Sequence, residues 1–526
     1  MNEAALLEEV RKLKEHIARQ DVRITKLEEE NKLLKHLHFG TKSEKMTPED
    51  KKTASLFNEA EDTAFSQNDE NEIEKATETV EVKAHPRKTG KKNNAGRKSL
   101  DKSLPREVSE YDIPEEDKVC SCGCKKKYIG EDVTERLKTY PVQVAVLQER
   151  KKKYVCPGCE GLESEDEKGV QTAEGPKHLI PGSIADESLI AWSISEKFEY
   201  SLPFYRQAIR LGQIGAPIPR ATLSNITIKA AGYCEPIYEM LKENIRNGPL
   251  INADETRVQV LKEPGRKNQT DSWMWVFLGG EAEKKSVIFQ YETGRSHEIP
   301  YQFLQNYEGM LQTDDYEAYH TALKKLEKDK EITILHFLCW AHARRYFHRY
   351  WENSKDNDAK RILDLIKELF KLEDLRKDYS KKGFLKQRKN KAGQIFEQLR
   401  KLLETIYPQT PPGLSFGKAI AYTLDNWEQL ISYIDYYELT PSNNIAERAI
   451  RPFVIGRKNW LFSGSPAGAK ASAILYSLVE TAKLNDLAPF EYLYFIFRKI
   501  PYCRTSEDYA ALLPYNIDKE RLKAER

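Results

Sequence analysis

The sequence predicts a multidomain α+β protein, because three different patterns follow one another along its 526 residues. A heptad repeat opens the chain, five cysteines crowd between positions 120 and 159, and strand-like alternation begins after position 249. At roughly 150 residues a domain, this length allows about three or four folded units. We predict a coiled coil (1–38), a disordered linker with a basic arm (39–105), a zinc-binding module (106–165), a helical region (166–248), the first part of an α/β core (249–352), a helical insertion (353–440), the rest of that core (441–485) and a C-terminal helical segment (486–526).

The composition argues against a membrane-spanning or disulfide-stapled protein. Mean hydropathy is −0.68, and no apolar run approaches the roughly 20 residues that a bilayer-spanning helix needs. The opening residues MNEAALLEEV do not form a signal peptide. Eight cysteines are too few for a disulfide scaffold of this length, so we expect reduced cysteines in a cytoplasmic protein.

Apolar residues in the first 35 positions recur at alternating steps of four and three, which is a heptad pattern. Position a is held by Val10, Ile17, Ile24 and Asn31, and position d by Leu6, Leu13, Gln20, Leu27 and Leu34. β-branched residues at a and Leu at d favour a parallel two-stranded coiled coil, and a lone Asn at a sets its register. We therefore expect a homodimer. The alternative is a helix that packs on its own domain.

The charge changes sign along the next segments. Residues 55–82 carry nine acids and one Lys, a composition that predicts a disordered linker. Residues 83–105 carry eight Lys or Arg against one acid, Asp101. Within this basic arm, Arg97 and Lys98 suit a DNA backbone or a narrow minor groove. The alternative is a merely solvated linker.

The cysteine cluster has two halves. Cys156 and Cys159 form a Cys-x-x-Cys pair, which lets two thiolates approach one tetrahedral ion. Cys120, Cys122 and Cys124 are spaced by one residue, so the pair that completes a four-sulfur site is left open. We predict one structural Zn²⁺ held by four of these five cysteines; free thiols are the alternative.

Residues 184–245 have a helical pattern, and residues 202–229 predict two helices around a turn at 212–219. This pair is either a helix-turn-helix that binds DNA or a plain helical hairpin, because its spacing carries little specificity.

Strand-like alternation then appears at 250–262, 272–279 and 286–291, and a helix at 298–307 precedes a fourth strand at 309–313. Asp254 lies in the first strand and Asp314 follows the fourth. This order matches a ribonuclease H-like core, which brings the two carboxylates together. Converging carboxylates suit Mg²⁺, and a third acid would complete two ion sites about 3.5 to 4 Å apart.

Glu447 is the predicted third acid, because it lies one turn inside a helix that Ser442, Asn443 and Asn444 are suited to cap. The alternative is an ordinary ion pair between Glu447 and Arg451; Glu428 and Glu480 are weaker candidates. Basic and aromatic side chains surround this acid, as expected where nucleic acid is held by phosphate contacts and base stacking. They are Arg448, Arg451, Arg457, Lys458, Lys470, Trp460 and Phe462.

A strand predicted at 332–338 leads into CWAHARRYF at 339–347. A lone Cys-x-x-His is a poor zinc signal, so His342 and Arg345 are predicted to lie behind the metal ligands or to contact phosphate. A buried structural His is the alternative. Residues 357–437 have a purely helical pattern and are interpreted as an insertion into the core.

Several segments together resemble the large transposase of the insertion-sequence-66 family over nearly the whole chain. They are FGTKSEK (39–45), AGRK (95–98), GEDV (130–133), ADET (253–256), TDDY (313–316), CWAHARR (339–345), and NNIAER (443–448) running through to GRKNWLFSGS (456–465). The family usually has Gly where this chain has Asp315, and a Cys-x-x-Cys first pair. The choice between Asp314 and Asp315, like the choice of zinc ligands, therefore stays open.

The resemblance implies a DDE transposase, with Asp254, Asp314 and Glu447 as the catalytic residues and ligands of two Mg²⁺ or Mn²⁺ ions. It would bind the terminal repeats of its element and target DNA in the bacterial cytoplasm or nucleoid, with two small element-encoded helper proteins. Two alternatives share parts of this sequence: a DNA-binding regulator with an inactive nuclease core, and a nuclease that only hydrolyses.

Overall fold

The structure is a computed structural model that describes residues 144–150, 153–155, 170–172 and 175–524, together with residues 20 and 23. The chain divides into two units, and the described residues from Glu149 onward belong to one of them. The predicted coiled-coil seam apart from Gln20, the basic arm with Arg97 and Lys98, and all five clustered cysteines lie outside the described residues.

A short antiparallel hairpin flanks the second cysteine pair. Strands β1 (Lys153–Val155) and β2 (Val170–Thr172) pair with Lys153 opposite Thr172. Val144 and Val146, whose alternation predicts a strand, instead lie exposed in an irregular segment. Alternation produces a strand only where a partner strand accepts the backbone hydrogen bonds.

Four helices precede the central sheet. They are α1 (Glu187–Phe198), α2 (Phe204–Gln213), α3 (Arg220–Tyr233) and α4 (Glu235–Arg246). The prediction of two helices around a turn is confirmed by α2 and α3, and Gly215 takes φ of 87° in the turn between them. Ile194, Ala230 and Leu241 pack into the same large core as the sheet. These helices therefore belong to the same core as the sheet and do not form a separate module.

The central sheet combines an antiparallel meander with two parallel strands. Its strands are β3 (Leu250–Val260), β4 (Asp271–Gly279), β5 (Ser286–Glu292), β6 (Met310–Thr313), β7 (Leu335–Leu338) and the short β8 (Phe462–Ser463). The order is β5-β4-β3-β6-β7, with β4 antiparallel to β3 and β5, and with β6 parallel to both β3 and β7. Helix α5 (Glu298–Leu304) connects β5 to β6, and α6 (Glu317–Lys330) connects β6 to β7. The predicted meander and fourth strand are confirmed, whereas β7 starts three residues later than predicted.

Residues 340–435 are helical and form a second hydrophobic core. The helices are α7 (Trp340–Ser354), α8 (Asn357–Leu372), α9 (Lys381–Ile406), α10 (Ser415–Asp425) and α11 (Trp427–Ile431), with short 3₁₀ turns at Glu373–Lys377, Tyr407–Gln409 and Ser432–Asp435. Ile366, Leu399 and Trp427 pack in this core. The guanidinium of the buried Arg388 donates to backbone carbonyls, including that of Leu439 at 2.9 Å. The helical pattern predicted for residues 357–437 is confirmed.

The chain then returns to the sheet. Helices α12 (Asn444–Trp460), α13 (Pro466–Leu484), α14 (Pro489–Lys499), α15 (Ser506–Ala510) and α16 (Lys519–Ala524) follow, with 3₁₀ turns at Ile500–Tyr502 and Pro514–Asn516. Hydroxyl groups of α13 cover the open edge of β5: the N–H of Val287 donates to Thr481 Oγ1 at 3.0 Å and that of Phe289 donates to Ser477 Oγ at 2.8 Å. This helix therefore satisfies a strand edge that would otherwise attract another chain.

Among the described residues, no helix is both long enough and apolar enough to span a bilayer.

Candidate active site

The first two acids lie on neighbouring parallel strands at the same level. Asn252 of β3 is opposite Gln312 of β6 in the ladder, and its Nδ2 donates to Oε1 of Gln312 at 3.0 Å. Asp254 and Asp314 each lie two residues further along, and side chains two residues apart in a strand share a face. The two carboxyl groups therefore project side by side where β6 ends.

The third acid is fixed to β3 by the residue that begins its helix. Asn443 occupies the N-cap position of α12, but its side chain makes no cap. Nδ2 instead donates to the carbonyl of Ala253 at 2.8 Å, and Oδ1 accepts from Asn252 at 2.9 Å. The predicted N-cap position of Asn443 is confirmed, but the predicted capping hydrogen bond is wrong. The Asn443 side chain bonds instead to the buried polar groups of Asn252 and Ala253, which need partners. Glu447 lies one turn later and is only 3% exposed.

Helix α12 fills a gap along one edge of β3. Strand β6 pairs with residues 250–252 and β8 with residues 259–260, and both lie opposite the edge that β4 occupies. Asn443 binds the carbonyl of Ala253 at the start of this gap, and Nη1 of Arg457 donates to the carbonyl of Arg257 at its end. Between β6 and β8, helix α12 therefore lies beside β3 in place of a pairing strand. Asp254 is in this stretch of β3.

The other two acids act electrostatically on Asp254. Burial first, and then the charges of Glu255, Asp314 and Glu447, raise the pKa of Asp254 well above its ordinary value. Oε1 of Glu447 is buried and accepts no hydrogen bond within the described part of the chain. A cation stabilises the charged form of a carboxyl group that neighbouring carboxylates oppose, and Mg²⁺ and Mn²⁺ prefer oxygen ligands. The donor set therefore fits a divalent cation.

Asp315 makes a different set of contacts from Asp314. Nε2 of His320 lies 2.6 Å from Oδ1 of Asp315, and Nδ2 of Asn426 donates to its Oδ2 at 2.9 Å. Both carboxylate oxygens of Asp315 are thus occupied by neighbouring side chains. Asp314 accepts the backbone N–H of Tyr316 at 3.2 Å, and its charge is among those that act on Asp254.

Glu255 is a buried acid that sequence reasoning missed. Its Oε1 accepts from Nε of Arg295 at 2.8 Å, and its Oε2 accepts from the hydroxyl of Tyr319 at 2.7 Å. Burial, and then the charge of Asp314, raise its pKa to about 7, although Arg295 and the Tyr319 hydrogen bond oppose the shift. The guanidinium of Arg295 stacks between the rings of Trp273 and Tyr316. The ion pair of Glu255 with Arg295 is therefore held by aromatic rings, next to Asp254 in β3.

The residues predicted behind the metal ligands do adjoin Glu447. Nη2 of Arg345 lies 3.8 Å from Oε1 of Glu447. Ligand atoms of Cys339, His342 and Glu447 all lie within 4.8 Å of one another. The thiol of Cys339 accepts the N–H of Asn443 at 3.1 Å, and burial raises its pKa to about 12. Helix α7 supplies a positive charge beside the third acid, and its N-cap residue Cys339 supplies a neutral thiol.

The predicted nucleic-acid contacts fall into two groups. Arg448 and Lys458 are exposed on α12, and Arg451 is half-buried. Arg457 bonds to β3, and Trp460 packs edge-on against Phe453 with their ring centroids 5.4 Å apart. Trp460 is therefore part of the core packing, and the exposed apolar side chains at this end of the helix are Leu461 and Phe462.

The two weaker candidates for the third acid lie in other settings. Glu480, on α13, accepts from Nζ of Lys483 at 2.7 Å, and Glu428 is exposed on α11.

Family models match most of the chain. Residues 182–471, more than half of the chain, match the family described as "Transposase IS66 family", and residues 477–515 match its "IS66 C-terminal element". Residues 117–160, which include all five clustered cysteines, match the "zinc-finger binding domain of transposase IS66". Residues 26–108 match "Transposase C of IS166 homeodomain".

Similar proteins occur in Sinorhizobium fredii (strain NBRC 101917 / NGR234). The chain is 29% identical to "Uncharacterized protein y4qI" over 531 residues, which cover 99% of this chain and 94% of that protein. It is also 29% identical to "Uncharacterized protein y4jD" over 422 residues, 78% of this chain and 81% of that protein. The chain therefore belongs to the IS66 family of transposases and carries that family's zinc-finger domain.

Proposed function

We propose that the chain is a DDE transposase whose ribonuclease H-like core cuts and joins DNA at the ends of an insertion sequence. The single observation that carries this proposal is the convergence of Asp254, Asp314 and Glu447 from two register-matched strands and one helix. The sheet order, with its antiparallel meander and two parallel strands, supports the ribonuclease H-like assignment.

The three acids would hold two Mg²⁺ or Mn²⁺ ions. When bound, such ions lower the pKa of water and stabilise the charge that builds up on the attacking and leaving oxygens. In this proposal Asp254 and Asp314 share one ion, and Glu447 completes the second site; the support is that the charges of Asp314 and Glu447 both act on Asp254. We assign the second carboxylate to Asp314, because both oxygens of Asp315 already have partners.

The surrounding residues would orient the acids and the DNA strands. Asn443 fixes the helix that carries Glu447 against β3, and Arg345 places positive charge 3.8 Å from that carboxylate. Arg448 and Lys458 are exposed and suited to contact phosphates. The first in-line attack, by water, would free a 3′-hydroxyl, and that hydroxyl would then attack target DNA.

The regions outside the described residues contribute three further proposals. One Zn²⁺ is held by Cys156, Cys159 and two of the first three cysteines, the basic arm with Arg97 and Lys98 contacts DNA, and the heptads form a homodimer. Elemental analysis should find about one zinc per chain, lost in Cys156→Ser and retained in the buried control Cys234→Ser. Sedimentation of the 1–38 peptide should show a dimer, and two chains would supply one active site to each DNA end.

The test of function uses labelled DNA ends of the element that encodes the chain, incubated with Mg²⁺ and, where required, with the small proteins of the same element. A transposase cleaves these ends and joins them to a second DNA. A hydrolytic nuclease cleaves without joining, and an inactive regulator binds without cleaving. Either of the last two results, obtained with all element-encoded proteins present, would overturn the proposal.

A further inference from the structure

The chain leaves α12 through an exposed apolar turn. Leu461 is the C-cap residue of α12, and its N–H donates the last helical hydrogen bond, to the carbonyl of Arg457 at 2.7 Å. The next residues, Phe462–Ser463, pair as β8 with Gln259 and Val260 of β3. The side chain of Leu461 is 62% exposed and that of Phe462 is 44% exposed. Two apolar side chains thus project into solvent from a backbone that is fixed on both sides.

The backbone of this turn is strained. Leu461 has φ of 65° and ψ of −54°, a region that residues with a Cβ atom rarely adopt and that glycine adopts readily. Such strain persists only where the surroundings impose it, and it clusters at functional sites. An exposed leucine in this position is unfavourable for both folding and solubility, so a function for its side chain is the simplest explanation.

The surroundings of the turn complement a polyanion. Lys458 is exposed in the last turn of α12, the sequence between Arg448 and Val479 has no Asp or Glu, and Lys470 of α13 pairs with Glu235 of α4. The neighbouring β3–β4 loop is joined to the turn by the N–H of Leu261, which donates to the carbonyl of Ser463 at 2.9 Å, and it presents the exposed Lys262. The one acid of that loop, Glu263, is buried and bonded to Arg266.

The geometry of α12 gives the distance from the turn to the acids. Glu447 and Leu461 are 14 positions apart, so at 1.5 Å per residue they are separated by about 20 Å along the helix axis. Base pairs in DNA rise about 3.4 Å each. A duplex that follows α12 would therefore reach the turn about six base pairs from the phosphodiester at the acids.

We propose that Leu461 and Phe462 form an apolar wedge that inserts between stacked base pairs of the bound DNA end, about six base pairs from the cleaved bond. Apolar side chains that enter base steps unstack and kink a duplex, and aromatic rings stack on the exposed bases. The flanking lysines hold the phosphates on either side. This inference rests on the proposed function, because it takes the DNA end as the partner.

The test measures base unstacking with the full-length chain, with Ca²⁺ in place of Mg²⁺ so that the DNA stays uncut. The probes are element-end duplexes with 2-aminopurine, whose fluorescence rises on unstacking, placed in turn at each position near the cleavage site. We expect a rise of at least about twofold at one step, five to seven base pairs from that site by the same helical-rise estimate. Leu461→Ala and Phe462→Ala should remove most of the rise, whereas Leu484→Ala, equally exposed at 44% on α13, should retain it.

The variant Leu461→Gly distinguishes an effect of the wedge on DNA from an effect on protein stability. Glycine tolerates positive φ, so this variant should melt at a higher temperature than the wild type and yet lose the fluorescence rise. Equal fluorescence in the wild type and the Leu461 variants, or no rise at any position despite saturated binding, would overturn the proposal.

Sedimentation of the same samples detects the competing use of the turn. If the alanine variants change self-association while the fluorescence stays the same, the apolar turn serves a second copy of the chain and the wedge is wrong. Cleavage in Mg²⁺ is scored separately, so an absence of catalysis with unstacking intact would contradict the proposed function and leave the wedge standing.

Discussion

Two pairs of adjacent acids lie at this site, and the two members of each pair differ in their side-chain hydrogen-bond partners. Asp254 and Asp314 lie near other carboxylates, and that crowding, after burial itself, raises the pKa of Asp254. Their neighbours Glu255 and Asp315 have partners of their own, Arg295 with Tyr319 and His320 with Asn426. We propose that the acids with side-chain partners have a structural role and that the acids without such partners bind a cation.

The largest expected effect comes from removing a crowded acid. Asp254→Ala, Asp314→Ala and Glu447→Ala should each lower strand cleavage by about 1,000-fold or more, because each removes an ion ligand. Binding of the DNA end should change little, since these acids do not contact phosphate directly. Gel-based cleavage and binding assays measure the two quantities separately.

Asp315→Ala is the matched control for Asp314→Ala. It should keep partial cleavage activity, because its carboxylate is bonded to His320 and Asn426. Loss of activity in Asp315→Ala together with normal activity in Asp314→Ala would reverse the comparison and exchange their assignments.

The next effect concerns stability. Glu255→Ala leaves the half-buried guanidinium of Arg295 and the buried hydroxyl of Tyr319 without their acceptor, so the free energy of unfolding should fall by about 3 kcal/mol. Urea unfolding followed by circular dichroism measures this change. Glu298→Ala removes an exposed ion pair with Lys325 and should leave the urea midpoint nearly unchanged; equal losses in both variants would mean that burial of the Glu255 pair contributes nothing.

A smaller effect, of opposite sign, is expected at Asp254. Because its folded pKa is raised, the folded state binds the proton more tightly than the unfolded state, and stability falls as pH rises above about 4, where the unfolded carboxyl ionises. Asp254→Asn removes this penalty, so without metal at pH 8 it should unfold with a free energy about 1 kcal/mol higher than that of the wild type. A stability curve that instead rises for the wild type from pH 5 to 8 would contradict the crowding of this acid.

Much of this site was predictable from local pattern, and the rest depended on distant partners. Asp254 and Asp314 are marked by strands of recognisable period, and Glu447 by a helix start, so their convergence follows from the order of elements. Glu255 carries no such signal, because Arg295 and Tyr319 lie 40 and 64 positions away. The available sequence signal for Glu255 was its position in the motif ADET (253–256), directly after Asp254.

The direction in which a side chain points was the other feature that the sequence did not predict. Trp460 and Leu461 are adjacent, and the sequence favours the aromatic residue for base contact. In the structure Trp460 turns inward against Phe453, and the strained backbone presents Leu461 to solvent. A positive φ at leucine cannot be read from composition or period; in the structure this residue lies between the end of α12 and β8, which pairs with β3.

The central claim is that Asp254, Asp314 and Glu447 together bind divalent cations, and Fe²⁺-directed cleavage of the protein backbone tests it most directly. Fe²⁺ replaces Mg²⁺ at such sites, and with ascorbate and peroxide it cuts the chain next to its ligands. We predict cuts in β3 near position 254, after β6 near 314 and at the start of α12 near 447, all suppressed by excess Mg²⁺ and absent in Asp254→Asn. Cuts at none of these three segments, or cuts that persist unchanged in Asp254→Asn, would contradict the account.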